Sequence, residues 1–80
     1  MPGEQWLLFE VQGMSCSGCE RSVVRALGRI PGAADARADA QGGRAWVRLD
    51  PALVEDARVA VTRAGFVVAG WRVADPPTAA

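Results

Sequence analysis

Two cysteines stand three positions apart in the run Gly13-Met14-Ser15-Cys16-Ser17-Gly18-Cys19, and they are the only thiols in the 80-residue sequence. There is no histidine, so both the commonest imidazole ligand and the usual proton shuttle are missing. Thiolates are soft donors that select Cu(I), with Zn, Cd and Hg also open by ligand type. Two sulfurs without an imidazole cannot supply the four protein ligands of a structural zinc site within one chain. Cu(I) tolerates two thiolates, which leaves the complex singly negative and open to a third sulfur. An ion held that way can pass to a partner's cysteine by ligand exchange without release into water. Cys16 and Cys19 are therefore the candidate metal ligands, and a carrier without chemical turnover, not an enzyme, is the function they suit.

A Cys-x-x-Cys pair also serves dithiol redox proteins. That chemistry is carried by a longer chain with a sheet covered on both sides, and the aromatic-Cys-Gly-Pro-Cys surroundings are missing here. It stands as the distant alternative.

The elements that must position the pair fit one small domain, expected over residues 1–74, with a disordered tail at 75–80. Nine basic and nine acidic residues cancel, which argues against nucleic acid, where binding rests on clustered phosphate neutralisation. No apolar run approaches the roughly 18 residues of a membrane span. The start, Met1 to Gln5, lacks the charged and apolar regions of a signal peptide. The expectation is a cytoplasmic product without direct membrane insertion, in a compartment where thiols stay reduced.

Trp6 to Val11 reads as a strand with Leu7, Phe9 and Val11 turned inward. Gly13 ends it. From Ser17 to Arg29 the period changes: Val23, Leu27 and Ile30 fall on one helical face, and Arg21, Arg25 and Arg29 on another. Ser15 or Ser17 suits a helix cap, and Pro31-Gly32 a stop. Ala33 to Ala40 is alanine-rich, which alone favours a helix. The turn Gln41-Gly42-Gly43 instead makes it an edge strand in a hairpin with Arg44 to Leu49, whose Ala45, Val47 and Leu49 share a face. Asp50-Pro51 starts a second helix with Val54, Ala57, Ala60, Val61 and Ala64 inward, and Gly65 stops it. Val67 to Val73 is the last strand. The order βαββαβ predicts a ferredoxin-like α+β sandwich, a four-stranded antiparallel sheet with both helices on one face.

Order and motif together resemble the heavy-metal-associated domain family, which includes small copper chaperones and the N-terminal metal-binding domains of copper-transporting P-type ATPases. The matching residues are Gly13-Met14-Ser15-Cys16-Ser17-Gly18-Cys19, then Val23, Leu27, Ile30-Pro31-Gly32, Asp50-Pro51 and Gly65-Phe66, and they span residues 5–73. The stretch between Val54 and Gly65 is about two residues shorter than is usual in the family, so the second helix is expected to be short or register-shifted. The resemblance implies a Cu(I) metallochaperone whose partner is a heavy-metal P-type ATPase or another copper-accepting protein. The alternatives are a regulatory domain of such an ATPase, or a Zn, Cd or Hg carrier on the same fold. It implies that Cys16 is the more mobile ligand and Cys19 the one fixed in the first helical turn. It also implies that Met14 packs beneath the loop, the other reading being a soft third ligand, and that Phe66 shields the site, which plain core packing explains about as well.

Two surface features stand apart. The stripe Arg21, Arg25, Arg29 could dock an acidic partner, its alternative being a solvated helix face. By strand phase Trp6, Trp46 and Trp71 share the sheet face away from the helices. That face suits a homodimer or a docking site, and a metal shared between chains is a second route to a dimer; the alternatives are a register error in the strand phases, or indoles covered by Arg48, Arg72 and the tail.

Overall fold

A computed structural model of the chain describes residues 4–15 and 17–75. Its elements are β1 (Gln5–Gln12), α1 (Ser17–Gly28), β2 (Asp35–Asp39), β3 (Arg44–Leu49), a 3₁₀ turn (Pro51–Leu53), α2 (Val54–Arg63) and β4 (Val67–Val73). The strands form one sheet in the order β2-β3-β1-β4, with every neighbouring pair antiparallel. α1 lies against β2 and β3, and α2 against β4 and α1. This is the ferredoxin-like sandwich that the element order predicts.

The alternation of β1 and β3 builds the sheet's half of the core. Leu7, Phe9, Ala45, Val47 and Leu49 are fully buried, and Val23, Leu27, Ala57 and Val61 meet them from the helices. Burying an aliphatic or aromatic side chain of this size contributes roughly 1.5–3 kcal/mol. β2 needs a separate explanation. Its inward residues, Ala36 and Ala38, pair with Val47 and Ala45 and pack on the core only in part. Small side chains there let α1 approach the sheet edge, so tertiary packing overrides alanine's helical preference. In α2, Ala57 and Val61 are buried, Val54 and Ala60 half-buried, and Ala64 is exposed. The helix is indeed short, and it begins three residues later than Asp50-Pro51 suggests. Asp50 caps a 3₁₀ turn first, its Oδ1 accepting the Ala52 N–H at 2.9 Å.

The C-terminus of α2 fixes the position of Phe66. The Phe66 N–H donates to the Val61 carbonyl at 3.3 Å and the Gly65 N–H to the Thr62 carbonyl at 3.0 Å. That is the paired hydrogen bonding of a Schellman motif, with Gly65 in the left-handed region at φ +104. Its usual apolar contact is available, because Val61 and Phe66 are both buried.

One expectation about the sheet is corrected. The β1–β4 ladder pairs Leu7 with Val73, Phe9 with Trp71 and Glu10 with Gly70, then shifts to Val11 with Val68. Between Val68 and Gly70 the strand holds one extra residue, a bulge that reverses the alternation beyond it. Trp71 therefore stands opposite Phe9 on the helix side, 45% exposed, while Trp6 and Trp46 lie on the outer face and are half-buried. The shared indole face invoked for a homodimer does not form. On the outer face the register runs Arg37–Trp46–Leu8–Arg72, and Leu8 is only 5% exposed within that row.

The 75–80 tail lies outside the described residues except for Asp75. Among the described residues no helix is long and apolar enough to cross a membrane.

Candidate metal centre

The two predicted ligands are placed unequally. Cys19 sits in the first turn of α1, half-buried and packed partly against the core. Cys16 lies outside the described residues, as does the side chain of Ser17. The Ser15 Oγ is 3.9 Å from the Cys19 Sγ, within hydrogen-bonding range for sulfur. Either atom can be the donor, and a helix N-terminus favours a thiolate over a thiol. Cys19 thus has the surroundings of a reactive sulfur.

Three devices hold this loop. The first is Gly13, which leaves β1 at φ +101, a backbone region that side chains rarely enter. A Cβ there would stand 3.5 Å from the Phe66 Cδ1, so the ring lies directly beside the strand end that feeds the cysteine loop. Phe66 is 8% exposed and belongs to the core cluster. The second device is Met14, 9% exposed and a member of the core cluster. Its thioether packs beneath the loop, which bears out the packing reading.

The third device has no signature in the sequence. The Ala40 N–H donates to the Glu20 Oε2 at 2.6 Å, tying the residue after Cys19 to the end of β2 across 20 positions. From the sequence Glu20 has no role beyond its place just after Cys19. Its partner is an amide on another element, and no local pattern signals such a bond.

The arginine stripe does not stay together. Arg21 and Arg25 line a groove between α1 and β2 along with Arg37, whereas Arg29 borders a separate depression with Asp56 and Arg63 at the α1–α2 end.

A sequence profile of the heavy-metal-associated domain matches residues 8–66. The copper-transporting ATPase HMA5 of Oryza sativa subsp. japonica is 42% identical over 59 residues, covering 74% of this chain. The probable copper-transporting ATPase HMA5 of Arabidopsis thaliana is 43% identical over 61 residues. This chain spans only 6% of the length of either. Among solved structures, the CopZ metallochaperone superposes with a TM-score of 0.74 at 29% identity, covering 79% of this chain and 97% of that one. A copper binding domain from HMA7, a P-type ATPase, gives 0.74 at 32% identity, covering 88% and 93%. With that match over most of its length and the fold in place, the chain belongs to the heavy-metal-associated domain family.

Proposed function

We propose that Cys16 and Cys19 bind Cu(I) as cargo between two thiolates and surrender it to a partner cysteine by ligand exchange. The observation that carries this reading is Cys19 in the first turn of α1, at the end of the motif loop, with the Ser15 hydroxyl at 3.9 Å and Phe66 walling the loop's entry. The helix N-terminus favours the thiolate, and the apolar wall limits water at the ion. The copper-named relatives support the choice of metal.

In this reading residues 1–74 act as one cytoplasmic carrier module and the acceptor is a copper-transporting P-type ATPase. The second reading, a metal-binding domain of such an ATPase, is favoured by the 42% and 43% identity to two ATPases. Both use the same sulfurs and the same exchange step.

Titration with Cu(I) against a competing chelator tests the site in the wild type and in Cys16→Ser/Cys19→Ser. Tight binding is expected only in the wild type. Tight binding retained by the double variant would remove the site. Transfer to an isolated ATPase domain, followed by NMR of both proteins, tests delivery.

A further inference from the structure

β2 is the terminal strand of the sheet, and its outward edge has an unusual pattern. The Val11 N–H donates to the Gly43 carbonyl, so residues 45, 47 and 49 of β3 bond towards β1, and residues 44, 46 and 48 towards β2. Their partners on β2 are 39, 37 and 35. The amides of Ala36, Ala38 and Ala40 therefore point away from the sheet. Two of them already donate to carboxylates: Ala36 to the Asp35 Oδ1 at 2.8 Å and Ala40 to the Glu20 Oε2 at 2.6 Å. The amide between them, on Ala38, opens on the groove between β2 and α1.

That groove has a volume of about 640 Å³, an apolar floor of Val24, Ala36 and Ala38, exposed Arg21 and Arg25 on its α1 side, and at its β2 rim Arg37, whose register position is on the outer face of the sheet. Of the nearby acids only Glu20 lines the groove, one carboxylate against three arginines. Glu20 and Asp35 hold the flanking amides, and Asp39 accepts the Gln41 N–H at 3.1 Å. Asp35 also lies 3.6 Å from Arg37, an exposed pair that is worth little. A continuous fifth strand would have to displace both resident carboxylates, so the occupant this edge suits is one that brings a carboxylate of its own.

We propose that the α1–β2 groove docks an acidic peptide segment of a partner protein, one carboxylate of which accepts the Ala38 N–H amid Arg21, Arg25 and Arg37. The surface is independent of the cysteines and serves whether or not they carry metal.

The probe is a blocked hexapeptide of alternating valine and glutamate, titrated into the metal-free, ¹⁵N-labelled full chain, with the valine–glutamine peptide as control. The glutamate peptide should shift the amides of Ala36, Ala38 and Ala40 and residues 20–25, with at least tenfold weaker binding in Arg21→Gln/Arg25→Gln/Arg37→Gln. Ala38→Pro removes the outward donor without touching the β3 ladder, a change edge strands tolerate, and should also weaken binding. Equal binding of the two peptides, undiminished affinity in the triple arginine variant, or shifts confined to the outer sheet face would overturn the proposal. Shifts at Ala38 that grow with protein concentration in the absence of peptide would assign the groove to a second copy and overturn it equally.

Discussion

Gly13 and Gly65 offer a matched pair of perturbations. Their φ values are +101 and +104, so an alanine at either position meets nearly the same backbone strain. They differ in surroundings. A Cβ at Gly65 meets nothing within 4 Å, and one at Gly13 meets only the Phe66 Cδ1 at 3.5 Å, an ordinary contact distance. Strain of this kind costs about 1–3 kcal/mol, and the stiffer unfolded chain returns about 0.4–1 kcal/mol. At the middle of both ranges each variant should therefore lose about 1.3 kcal/mol, or about 5–10 °C in Tm for a domain of this size. The two losses should agree within about 0.5 kcal/mol. Urea and thermal unfolding of the apo proteins measure this, and Gly65→Asn should lose less than Gly65→Ala because asparagine tolerates positive φ better. Copper binding should separate the pair, weakening by up to about tenfold in Gly13→Ala, whose strain adjoins the cysteine loop, and hardly at all in Gly65→Ala. A neutral Gly65→Ala, or a Gly13→Ala more than about 1 kcal/mol worse than its counterpart, would refute the reasoning. The first result would mean the Schellman turn does not enforce φ, and the second that Phe66 presses harder on the loop than 3.5 Å implies.

Phe66→Ala empties the wall beneath the loop and should cost about 3–5 kcal/mol in urea unfolding, with Phe66→Leu recovering most of it. Excess Cu(I) should raise the unfolding midpoint of both, since the ion binds the folded site. Glu20→Ala leaves the Ala40 amide without its carboxylate and should cost about 1–3 kcal/mol, with faster hydrogen exchange at Ala40; Glu20→Gln should cost about half as much. Asp50→Ala removes the 3₁₀ cap and should lower stability by about 0.5–2 kcal/mol without altering copper affinity.

Legibility in the sequence tracks the range of the interactions. β3 can be read from Ala45, Val47 and Leu49 because a two-residue period suffices to bury one face. Gly65 can be read as a stop because the Schellman turn is local, and its consequence for Phe66 comes with it. The motif loop, with a strand before it and a helix after it, points to the family directly. The Glu20–Ala40 bond cannot be read, because it depends on how closely α1 approaches β2. The 3₁₀ start before α2 escapes notice because Asp50 and Pro51 suit either helix type. The phase of Trp71 comes out wrong when strict alternation is carried through Gly70. A glycine within a strand often marks a bulge, so the residue that could have corrected the phase is there in the sequence.

The same bulge reaches the metal loop. On the far side of it the paired residue numbers sum to 80, as in Leu7 with Val73, and on the near side to 79, as in Gln12 with Val67. Continued at 79, the register brings Phe66 opposite Gly13, where the 3.5 Å approach is found. Continued at 80, it would bring Phe66 opposite Met14. The extra residue at Ala69 thus accounts for both the wall beside Gly13 and the helix-side position of Trp71. Deleting Ala69 tests this. It should leave Val68 directly before Gly70, every present pair intact, Phe66 still at Gly13, and stability within about 1 kcal/mol of wild type. If instead β4 alternated without a bulge, the same deletion would turn either Val68 or the Trp71–Val73 segment to the wrong face. Stability would then fall by more than about 3 kcal/mol, and the tryptophan emission would shift. Unfolding curves and fluorescence of the deletion variant choose between the two registers, and a large loss would remove the physical basis for Phe66 as the wall of the metal loop.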